Sequence, residues 1–505
     1  MGKAKGRHDP RHAMVRSALV LDSSSLGKRV VRGAGFTFLG IALRTLLTIG
    51  SMAILARLLT PADFGYIAMA TVVTEFAGLL GSFGLANILI QRKVATRLQL
   101  DTVFWAALAI GCVIAAVVFA LSFATGWLFG DTRTGELLRV LCLSFVFGSM
   151  TTVPEALLAR LMRFRTEFFI QISAIAIRAA AAIALAWAGF GVWSLVAGAL
   201  TGSLVTVLLL AIAVPYRPRL RFNARYLLSS WKTSSSYMGN TVLYYISMNV
   251  DLLLIGRQFG ASALGYYQNA RSLTDEVRGR IAMPLQRVLF PAFSAIQSDT
   301  ARLQQSVLRS ARLLAALICP VGFGLSAVAP EIVPVLYGGQ WLAMTPILTM
   351  LGISAALRGS TAIASPLFNS QNRVSLSFRY NVLGTALLVV SAALALPHGL
   401  NVVATVIAAN ALFSVLTFRI AFGLIGLGSR DVAHVLARPV VAALVMWGGI
   451  VLLREVLAGS ALHLAARLGL LVMCGALLYT LTLHALSRRY LKDFTELAGK
   501  LLKKG

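Results

Sequence analysis

Acidic residues are scarce in this sequence, and charged residues of either sign are few. Only 18 of the 505 residues are Asp or Glu, against 46 Lys and Arg, and charged residues make up 13% of the chain. A soluble globular domain has about a quarter of its residues charged. With 58% hydrophobic residues and a mean hydropathy of +0.80, the composition excludes an ordinary soluble protein and predicts an integral membrane protein.

Residues that carry catalytic or metal chemistry are also few. The six histidines form no HExxH or other metal-binding spacing, and the sequence has no GxxxxGK[ST] segment for ATP. The predicted outer loops reach only about a dozen residues, which argues against a glycosyl polymerase with catalytic groups outside the membrane. We therefore expect a protein that is not an enzyme and has no cofactor. Each cysteine lies in an apolar run without CxxC spacing, so we expect core positions for Cys112, Cys142, Cys319 and Cys474.

Long apolar segments recur through the whole chain. A bilayer core about 30 Å thick needs about 20 helical residues. Fourteen segments of that length predict an all-α polytopic membrane protein, and Thr60, Pro61 and Asp63 supply an N-cap, a first-turn proline and a capping acid for the second. In order, these predicted spans are 33–57, 62–88, 101–125, 136–160, 167–188, 191–213, 233–257, 262–286, 308–330, 343–367, 376–396, 400–424, 436–456 and 463–486.

Basic residues predict the orientation of these spans, because basic segments resist translocation and stay in the cytoplasm. Eight Lys and Arg precede the first span, and with this tail inside, 31 of the 46 basic residues fall in cytoplasmic loops or tails. Both termini are then cytoplasmic. The first thirty residues have no apolar core before a cleavage site, so we expect no cleaved signal peptide. Basic residues at membrane edges also argue against nucleic acid as a partner.

The two halves of the chain contain a weak internal repeat. At an offset of 200 residues, four pairs of identical residues coincide: Arg57 and Arg257, Gly65 and Gly265, Tyr66 and Tyr266, and Ala70 and Ala270. Six spans per half is an even number, so the halves share one topology, as in transporters built from parallel repeats. The predicted organisation is a basic tail (1–32), an N-terminal lobe (33–214), a cytoplasmic linker (215–232), a C-terminal lobe (233–425), two extra helices (426–487) and a second basic tail (488–505).

Several segments resemble the bacterial polysaccharide-repeat flippases. The sequences ARLLTPADFGY (56–66) and FGLANILIQ (83–91) are similar to the opening helical hairpin of that family. In the second half, NVDLLLIG (249–256) and GYYQNAR (265–271) resemble the branch that exports colanic-acid-like or succinoglycan-like exopolysaccharides. The resemblance extends over about residues 30–425. The family belongs to a superfamily that also contains multidrug and toxin extruders and the lipid II flippase.

This resemblance implies a V-shaped, two-lobed carrier in the bacterial inner membrane. Its members move an undecaprenyl-diphosphate-linked oligosaccharide repeat unit to the periplasmic leaflet by alternating access, for exopolysaccharide or lipopolysaccharide biosynthesis. The implied partners are that substrate, membrane lipids, a polysaccharide polymerase and a chain-length co-polymerase. Family members are often described with twelve helices, and two extra C-terminal helices are a feature of the lipid II flippase. Lipid II is therefore an alternative substrate, and a multidrug extruder of the same fold is a further alternative.

Charged side chains at membrane depth cost about 2.5 to 3.5 kcal/mol each on insertion scales, so they should face protein or a wet cavity. The basic residues within the predicted spans exceed the acids, which predicts a central cationic cavity for an anionic substrate and argues against a cation extruder. Guanidinium suits a diphosphate because its planar donors match phosphate oxygens. The candidate substrate-binding residues are Arg44, Arg178, Arg271, Arg278 and Arg358. The alternative is that Arg271 pairs with Asp275, and Glu276 with Arg280, at i,i+4 spacing.

Four acids lie well within the predicted spans: Glu75, Asp251, Asp275 and Glu276. Because no ATP motif is present, a proton or sodium gradient is the remaining general driving force, and these acids are the candidate coupling groups. Asp275 lies one helical turn from Arg271 and Arg278, so we favour Glu75 or Asp251 as the group that titrates. The alternative is that these acids only neutralise arginines.

Overall fold

The computed structural model describes residues 26–82, 89, 96–214, 216–457, 459 and 462–487. Within these residues the regular structure consists of α-helices and short 3-10 turns, without β-strands. In chain order the α-helices are α1 Leu26–Leu58, α2 Pro61–Ser82, α3 Arg97–Leu121, α4 Thr125–Phe129, α5 Arg133–Leu141, α6 Leu143–Arg160, α7 Phe164–Trp187, α8 Val192–Ala213, α9 Ala224–Ala295, α10 Thr300–Ala327, α11 Ala329–Leu336, α12 Thr345–Ser360, α13 Ala364–Ser370, α14 Val374–Ala395, α15 Leu400–Ala409, α16 Ala411–Gly423, α17 Ser429–Leu457 and α18 Leu464–Leu486.

Parts of three predicted features lie outside the described residues. They are most of the N-terminal basic tail, the C-terminal basic tail and most of the segment 83–91 that carries the family resemblance. Several helices also begin earlier than the sequence predicts. Helix α1 begins at Leu26, α10 at Thr300 and α17 at Ser429, and α9 begins at Ala224 inside the predicted linker.

Ten helical segments in the described part of the chain are long and apolar enough to cross a membrane. They coincide with predicted spans three to six and nine to fourteen, and some combine two short helices, as in Arg133–Arg160. Helices α1, α2 and α9 occupy the other four predicted spans. Helix α9 is interrupted at Gly260, whose φ of +78° separates a first arm (224–259) from a second arm (261–295). The all-α polytopic class is confirmed, whereas the number of fourteen crossings stays a prediction.

The start of α2 has the predicted capping geometry. Asp63 Oδ2 accepts hydrogen bonds from Thr60 N at 2.9 Å and Thr60 Oγ1 at 2.7 Å, and Asp63 N donates to Thr60 Oγ1 at 3.3 Å. Two residues further on, Gly65 lies directly against the turn after Gly260. A Cβ at Gly65 would lie only 1.7 Å from the carbonyl oxygen of Ala261. Only glycine allows this approach of α2 to α9.

The chain divides into two compact units, a first unit of residues 1–261 and a second unit of residues 262–505. Helices α17 and α18 share one hydrophobic core with α9, α10, α12, α13 and α16 of the second unit. Two polar contacts add to this packing: Trp447 Nε1 donates to Ser326 Oγ at 3.2 Å, and Tyr479 OH donates to the Ala316 carbonyl at 2.9 Å. The two helices that lie outside the predicted repeat are therefore an integral part of the second unit.

The internal repeat recurs in the backbone of the two units. Three residues with positive φ in the first unit each have an equivalent 208 or 210 positions later: Gly130 and Gly338, Met162 and Asn372, and Gly191 and Gly399. The turns that follow α6 and α13 close with the same hydrogen bond, from Arg163 N to Leu158 O at 3.2 Å and from Arg373 N to Phe368 O at 2.9 Å. The turn after α13 differs in sequence from the turn after α6, but Asn372 and Met162 adopt the same left-handed backbone conformation.

The two aligned tyrosines also make equivalent contacts. Tyr66 OH donates to Asp131 Oδ2 at 2.8 Å, in the loop before α5. Tyr266 OH donates to the Gln340 carbonyl at 3.2 Å, in the 3-10 turn before α12. In each unit, the tyrosine hydroxyl therefore donates to the segment between a glycine with positive φ and the next α-helix. These are Gly130 and α5 in the first unit, and Gly338 and α12 in the second.

All four cysteines are free thiols. Cys142 and Cys319 are buried, as predicted, and Cys474 is half-buried. Cys112 is exposed on α3, so the prediction of a core position is wrong for this residue. A small thiol on an apolar span is compatible with either environment, which is why the apolar run around it did not distinguish them.

Candidate functional site

Arg44 and Arg178 lie on two neighbouring helices of the first unit. Helices α1 and α7 pack so closely that a Cβ at Gly40 would lie 2.9 Å from the ring of Phe168. Arg44 is one helical turn beyond Gly40, and Arg178 is on α7; both side chains are exposed. Neither arginine makes an ion pair or a side-chain hydrogen bond with another residue in the described ranges. Two guanidinium groups on neighbouring helices of the first unit therefore have no ion pair within the described part of the protein.

The stem of Arg178 is held in place by a glycine on α8. A Cβ at Gly202 would lie 3.0 Å from Arg178 Cβ and 3.3 Å from its Cδ. The aliphatic stem of Arg178 therefore packs against α8, as the stems of long basic side chains often do. This fixed stem directs the guanidinium and reduces the entropy that ligand binding would cost.

A second charged group lies on the second arm of α9. Asp275 accepts from Arg271 Nε at 3.4 Å through Oδ2 and contacts Arg278 Nη2 at 2.9 Å through Oδ1. The side chains are between 18% and 43% exposed, so the group is partly open. One carboxylate therefore contacts two guanidinium groups.

Arg358 belongs to the helix that packs against this group. A Cβ at Gly359 of α12 would lie 3.2 Å from Arg278 Cγ. Arg358 is the preceding residue and is half-buried in the last turn of α12. Gln286 Nε2 donates to the Ala362 carbonyl at 2.8 Å, which holds the second arm of α9 against the end of α12. The structure therefore brings Arg278 and the Arg358 segment together within the second unit.

Both ion pairs that the sequence spacing suggests are formed. Arg280 contacts Glu276 in a close ion pair, separate from the Arg271–Asp275–Arg278 group. Glu276 is therefore paired with Arg280, and Asp275 contacts two arginines.

Glu75 and Asp251, the favoured coupling acids, both belong to the first unit. Glu75 is exposed, and its Oε2 accepts from Tyr245 OH at 3.3 Å. The same hydroxyl lies 2.9 Å from the Val72 carbonyl, so Tyr245 joins α2 to the first arm of α9. Asp251 is only 6% exposed, and its Oδ1 accepts from Leu252 N at 3.0 Å.

A buried charged group that the sequence reasoning missed joins α11, α17 and α18. Glu331 is 3% exposed and accepts from Arg454 Nε at 2.7 Å, while Arg467 Nη2 lies 3.7 Å away. Arg467 also donates to the Arg454 carbonyl at 3.0 Å. The three residues lie near the ends of predicted spans nine, thirteen and fourteen. The predicted topology places all three ends on the same side of the membrane. Complementary charges at one membrane edge are the signal that could have indicated the group.

Metal-binding geometry is absent from the described residues. Nowhere in the ranges that the structure covers do three or more His, Cys, Asp or Glu side chains come together as a metal site requires. The charged groups on the spanning helices consist instead of arginines with fewer carboxylates. Such groups can bind an anion through charge-assisted hydrogen bonds.

The helices define an all-α polytopic membrane protein. The structure is similar to that of "Lipid II flippase MurJ, inward closed conformation", with a TM-score of 0.71 and 14% identity over 91% of this chain and 100% of that chain. It is also similar to a multidrug resistance MATE family transporter of the MOP superfamily in its inward-facing conformation, with a TM-score of 0.58 and 16% identity over 76% of this chain and 94% of that one. At these identities the similarity concerns the fold.

Residues 54–346 match the polysaccharide biosynthesis protein family, and the chain belongs to that family. Among its relatives is the succinoglycan biosynthesis transport protein ExoT of Rhizobium meliloti (strain 1021), 30% identical over 65% of this chain and 67% of the relative. The lipopolysaccharide biosynthesis protein WzxC of Escherichia coli (strain K12) is 27% identical over 72% and 75%. The teichuronic acid biosynthesis protein TuaB of Bacillus subtilis (strain 168) is 25% identical over 71% and 74%. The resemblance inferred from the sequence is confirmed.

Proposed function

We propose that this protein is a flippase that moves an undecaprenyl-diphosphate-linked oligosaccharide repeat unit across the inner membrane by alternating access. The observation that carries the proposal is the set of arginines on helices within the predicted spans. Arg44 and Arg178 make no ion pair among the described residues, and Arg278 contacts Asp275 together with Arg271. A diphosphate, or an acidic sugar, supplies the negative charge that Arg44 and Arg178 lack.

The names of the relatives support a polysaccharide precursor as the substrate. They refer to succinoglycan, to lipopolysaccharide and to teichuronic acid. Similarity to the lipid II flippase concerns the fold alone, and the same is true of the multidrug transporter. An exopolysaccharide or lipopolysaccharide repeat unit is therefore the proposed cargo, with lipid II as the alternative that a direct comparison must exclude.

The proposed binding residues are those arginines and their neighbour on α12. In the first unit they are Arg44 and Arg178, and in the second unit Arg271, Arg278 and Arg358. Each guanidinium offers a planar set of donors that matches two phosphate oxygens. Translocation makes and breaks no covalent bond, so the role of these residues is binding and not catalysis.

A proton or sodium gradient is the proposed source of energy, acting on Glu75 or Asp251. The hydrogen bond from Tyr245 to Glu75 supports this assignment, because a change of charge on Glu75 alters a contact between α2 and α9. The buried position of Asp251 supports it in a second way, since the free energy of a buried carboxyl group depends strongly on whether it carries a charge.

The proposed location is the bacterial inner membrane, with both termini in the cytoplasm. A multi-pass membrane protein of this kind delivers its cargo to the periplasmic leaflet. A polysaccharide polymerase and a chain-length co-polymerase would consume the product there. The distribution of basic residues supports this orientation.

The binding residues can be tested by polymer export from cells whose own gene is replaced by variants. We expect Ala at Arg44, Arg178, Arg278 or Arg358 to abolish export at normal protein abundance. Lys at the same positions should restore export only partly, because an ammonium lacks the planar fork. Arg302→Ala is the matched control, since Arg302 is exposed at the start of α10 and outside these groups. Full export by all four Ala variants would exclude the proposed arginine site.

A further inference from the structure

The segment between α8 and α9 is fixed to the start of α3. We call residues 216–223 the strap. Tyr216 OH donates to Asp101 Oδ1 at 2.7 Å, and Arg219 N donates to the same oxygen at 3.3 Å. Asp101 is fully buried. Burial and the hydrogen bond to Asp101 raise the pKa of the Tyr216 phenol, so the hydroxyl stays protonated and remains a donor at neutral pH.

Two further hydrogen bonds hold the strap along α3. Trp105 Nε1 donates to the Arg219 carbonyl at 2.8 Å, and Asn223 N donates to Thr102 Oγ1 at 3.1 Å. Thr102 is fully buried. The strap is thus attached at three of its residues and cannot move away from α3 without breaking four hydrogen bonds, of which the Tyr216–Asp101 bond is buried.

The strap lies at the height where α3 changes from polar to apolar sequence. The first residues of α3 include Arg97 and Asp101, and an apolar run begins at Val103. Trp105, which holds the strap, is two residues into that run. Tryptophan is enriched where the bilayer meets water. The attachment therefore places the strap at the level of the lipid headgroups.

The outward composition of the strap is unusual for a loop in water. Arg217, Arg219 and Arg221 alternate with Pro218, Leu220 and Phe222, and all six side chains are exposed. Leu220 is 88% exposed and Phe222 is 56% exposed. No acidic residue occurs in the strap. Basic residues beside exposed apolar side chains are typical of segments that lie in the membrane interface and attract anionic lipid.

We propose that the strap is a binding surface for the anionic phospholipid headgroups of the adjacent leaflet. Arg217, Arg219 and Arg221 contact lipid phosphates, and Leu220 and Phe222 insert at the boundary with the acyl chains. The proposed partner is the bilayer itself and not the transported molecule. The start of α9 is thereby anchored both to α3 and to the membrane surface.

The test uses the full chain with its four native cysteines replaced and Leu220→Cys labelled with a bimane fluorophore. The protein is reconstituted in vesicles of phosphatidylcholine with a minority of phosphatidylglycerol, and either lipid carries brominated acyl chains that quench bimane on contact. We expect brominated phosphatidylglycerol to quench more strongly at equal mole fraction. The attraction of one basic residue to an anionic surface corresponds to about fivefold enrichment.

A triple variant tests whether the arginines cause this preference. Arg217→Gln, Arg219→Gln and Arg221→Gln together remove the charge and keep the strap attached, because Arg219 holds α3 only through its backbone. We expect the two brominated lipids to quench this variant equally. Arg302→Gln, which removes an exposed arginine elsewhere, should retain the preference.

Three results would overturn the proposal. Absence of quenching by either lipid would mean that the strap does not touch the bilayer. Equal quenching without the triple change would mean that its arginines do not select anionic lipid. Loss of the preference when a small fraction of undecaprenyl diphosphate is added would assign the arginines to the transported headgroup. None of these measurements depends on transport, so they are independent of the proposed flippase activity.

Discussion

The carboxylate of Glu75 lies at a contact between two helices of the first unit. Tyr245 OH is 3.3 Å from Glu75 Oε2 and 2.9 Å from the Val72 carbonyl. If Glu75 couples transport to a proton gradient, Glu75→Gln should give transport that no longer responds to an imposed pH gradient in membrane vesicles. The amide keeps a hydrogen-bond acceptor for Tyr245 and cannot titrate. Asp251→Asn makes the same test at the other favoured acid.

Glu136→Gln is a suitable control for this experiment. Glu136 is exposed on α5 and is not one of the candidate coupling acids. If the Glu75 and Asp251 variants both retain gradient-dependent transport, neither residue is the coupling site.

Single residues differ in how far the sequence reveals them. Arg44 and Arg178 could be identified because a charged residue inside an apolar run can be recognised from the sequence alone. The role of Glu331 was harder to identify, because its partner Arg454 is 123 residues away and only their common predicted membrane edge connects them in the sequence. Tyr216 and Asp101 are a second example, since their hydrogen bond joins residues 115 positions apart.

At the scale of helices, the contact of α2 with the turn after Gly260 gives a sharp prediction. Gly65→Ala places a Cβ against the backbone carbonyl of Ala261, and a backbone atom cannot rotate away as a side chain can. We expect a lower thermal midpoint and lower membrane abundance of the full chain. Gly50→Ala is the matched control, because nothing lies within 4 Å of a Cβ there. Alanine should stabilise that helix by up to about 1 kcal/mol. A normal midpoint for Gly65→Ala would contradict the observed approach.

The attachment of α17 and α18 gives a second prediction for elements. Glu331→Gln removes the buried carboxylate that Arg454 and Arg467 share. Breaking a buried ion pair by removing one partner costs about 3–5 kcal/mol, because a buried charge loses its compensation. The thermal midpoint of the purified full chain in detergent should therefore fall, and Glu136→Gln should leave it unchanged. An unchanged midpoint for Glu331→Gln would show that the ion pair does not hold these helices.

Helices could be predicted well from the sequence, and the turns between them less well. Thr60 and Asp63 form the capping box that their spacing indicates. The equivalence of Met162 and Asn372 could not be inferred, because two different residues adopt the same left-handed conformation. The contribution of α17 and α18 to the second core was also hidden, since apolar periodicity does not say which helices pack together.

At the scale of the whole molecule, the basic loops predict the orientation of the chain. Reporter domains fused after Lys93, Arg165, Arg225 or Lys492 should read cytoplasmic, because basic segments stay on that side. Fusions at Thr132 and Gly399 should read periplasmic. A periplasmic signal at Arg225 would contradict the orientation of both halves.

The central claim is that the protein moves a diphosphate-linked oligosaccharide across a bilayer. The most direct measurement reconstitutes the purified full chain in vesicles with a fluorescent undecaprenyl-diphosphate oligosaccharide and follows its transfer between leaflets by a membrane-impermeant quencher. We predict transfer by the unmodified chain and by Arg302→Ala, little transfer by Arg178→Ala or Arg278→Ala, and slower transfer of lipid II. Transfer of lipid II at an equal or higher rate, or full transfer by both arginine variants, would contradict the account.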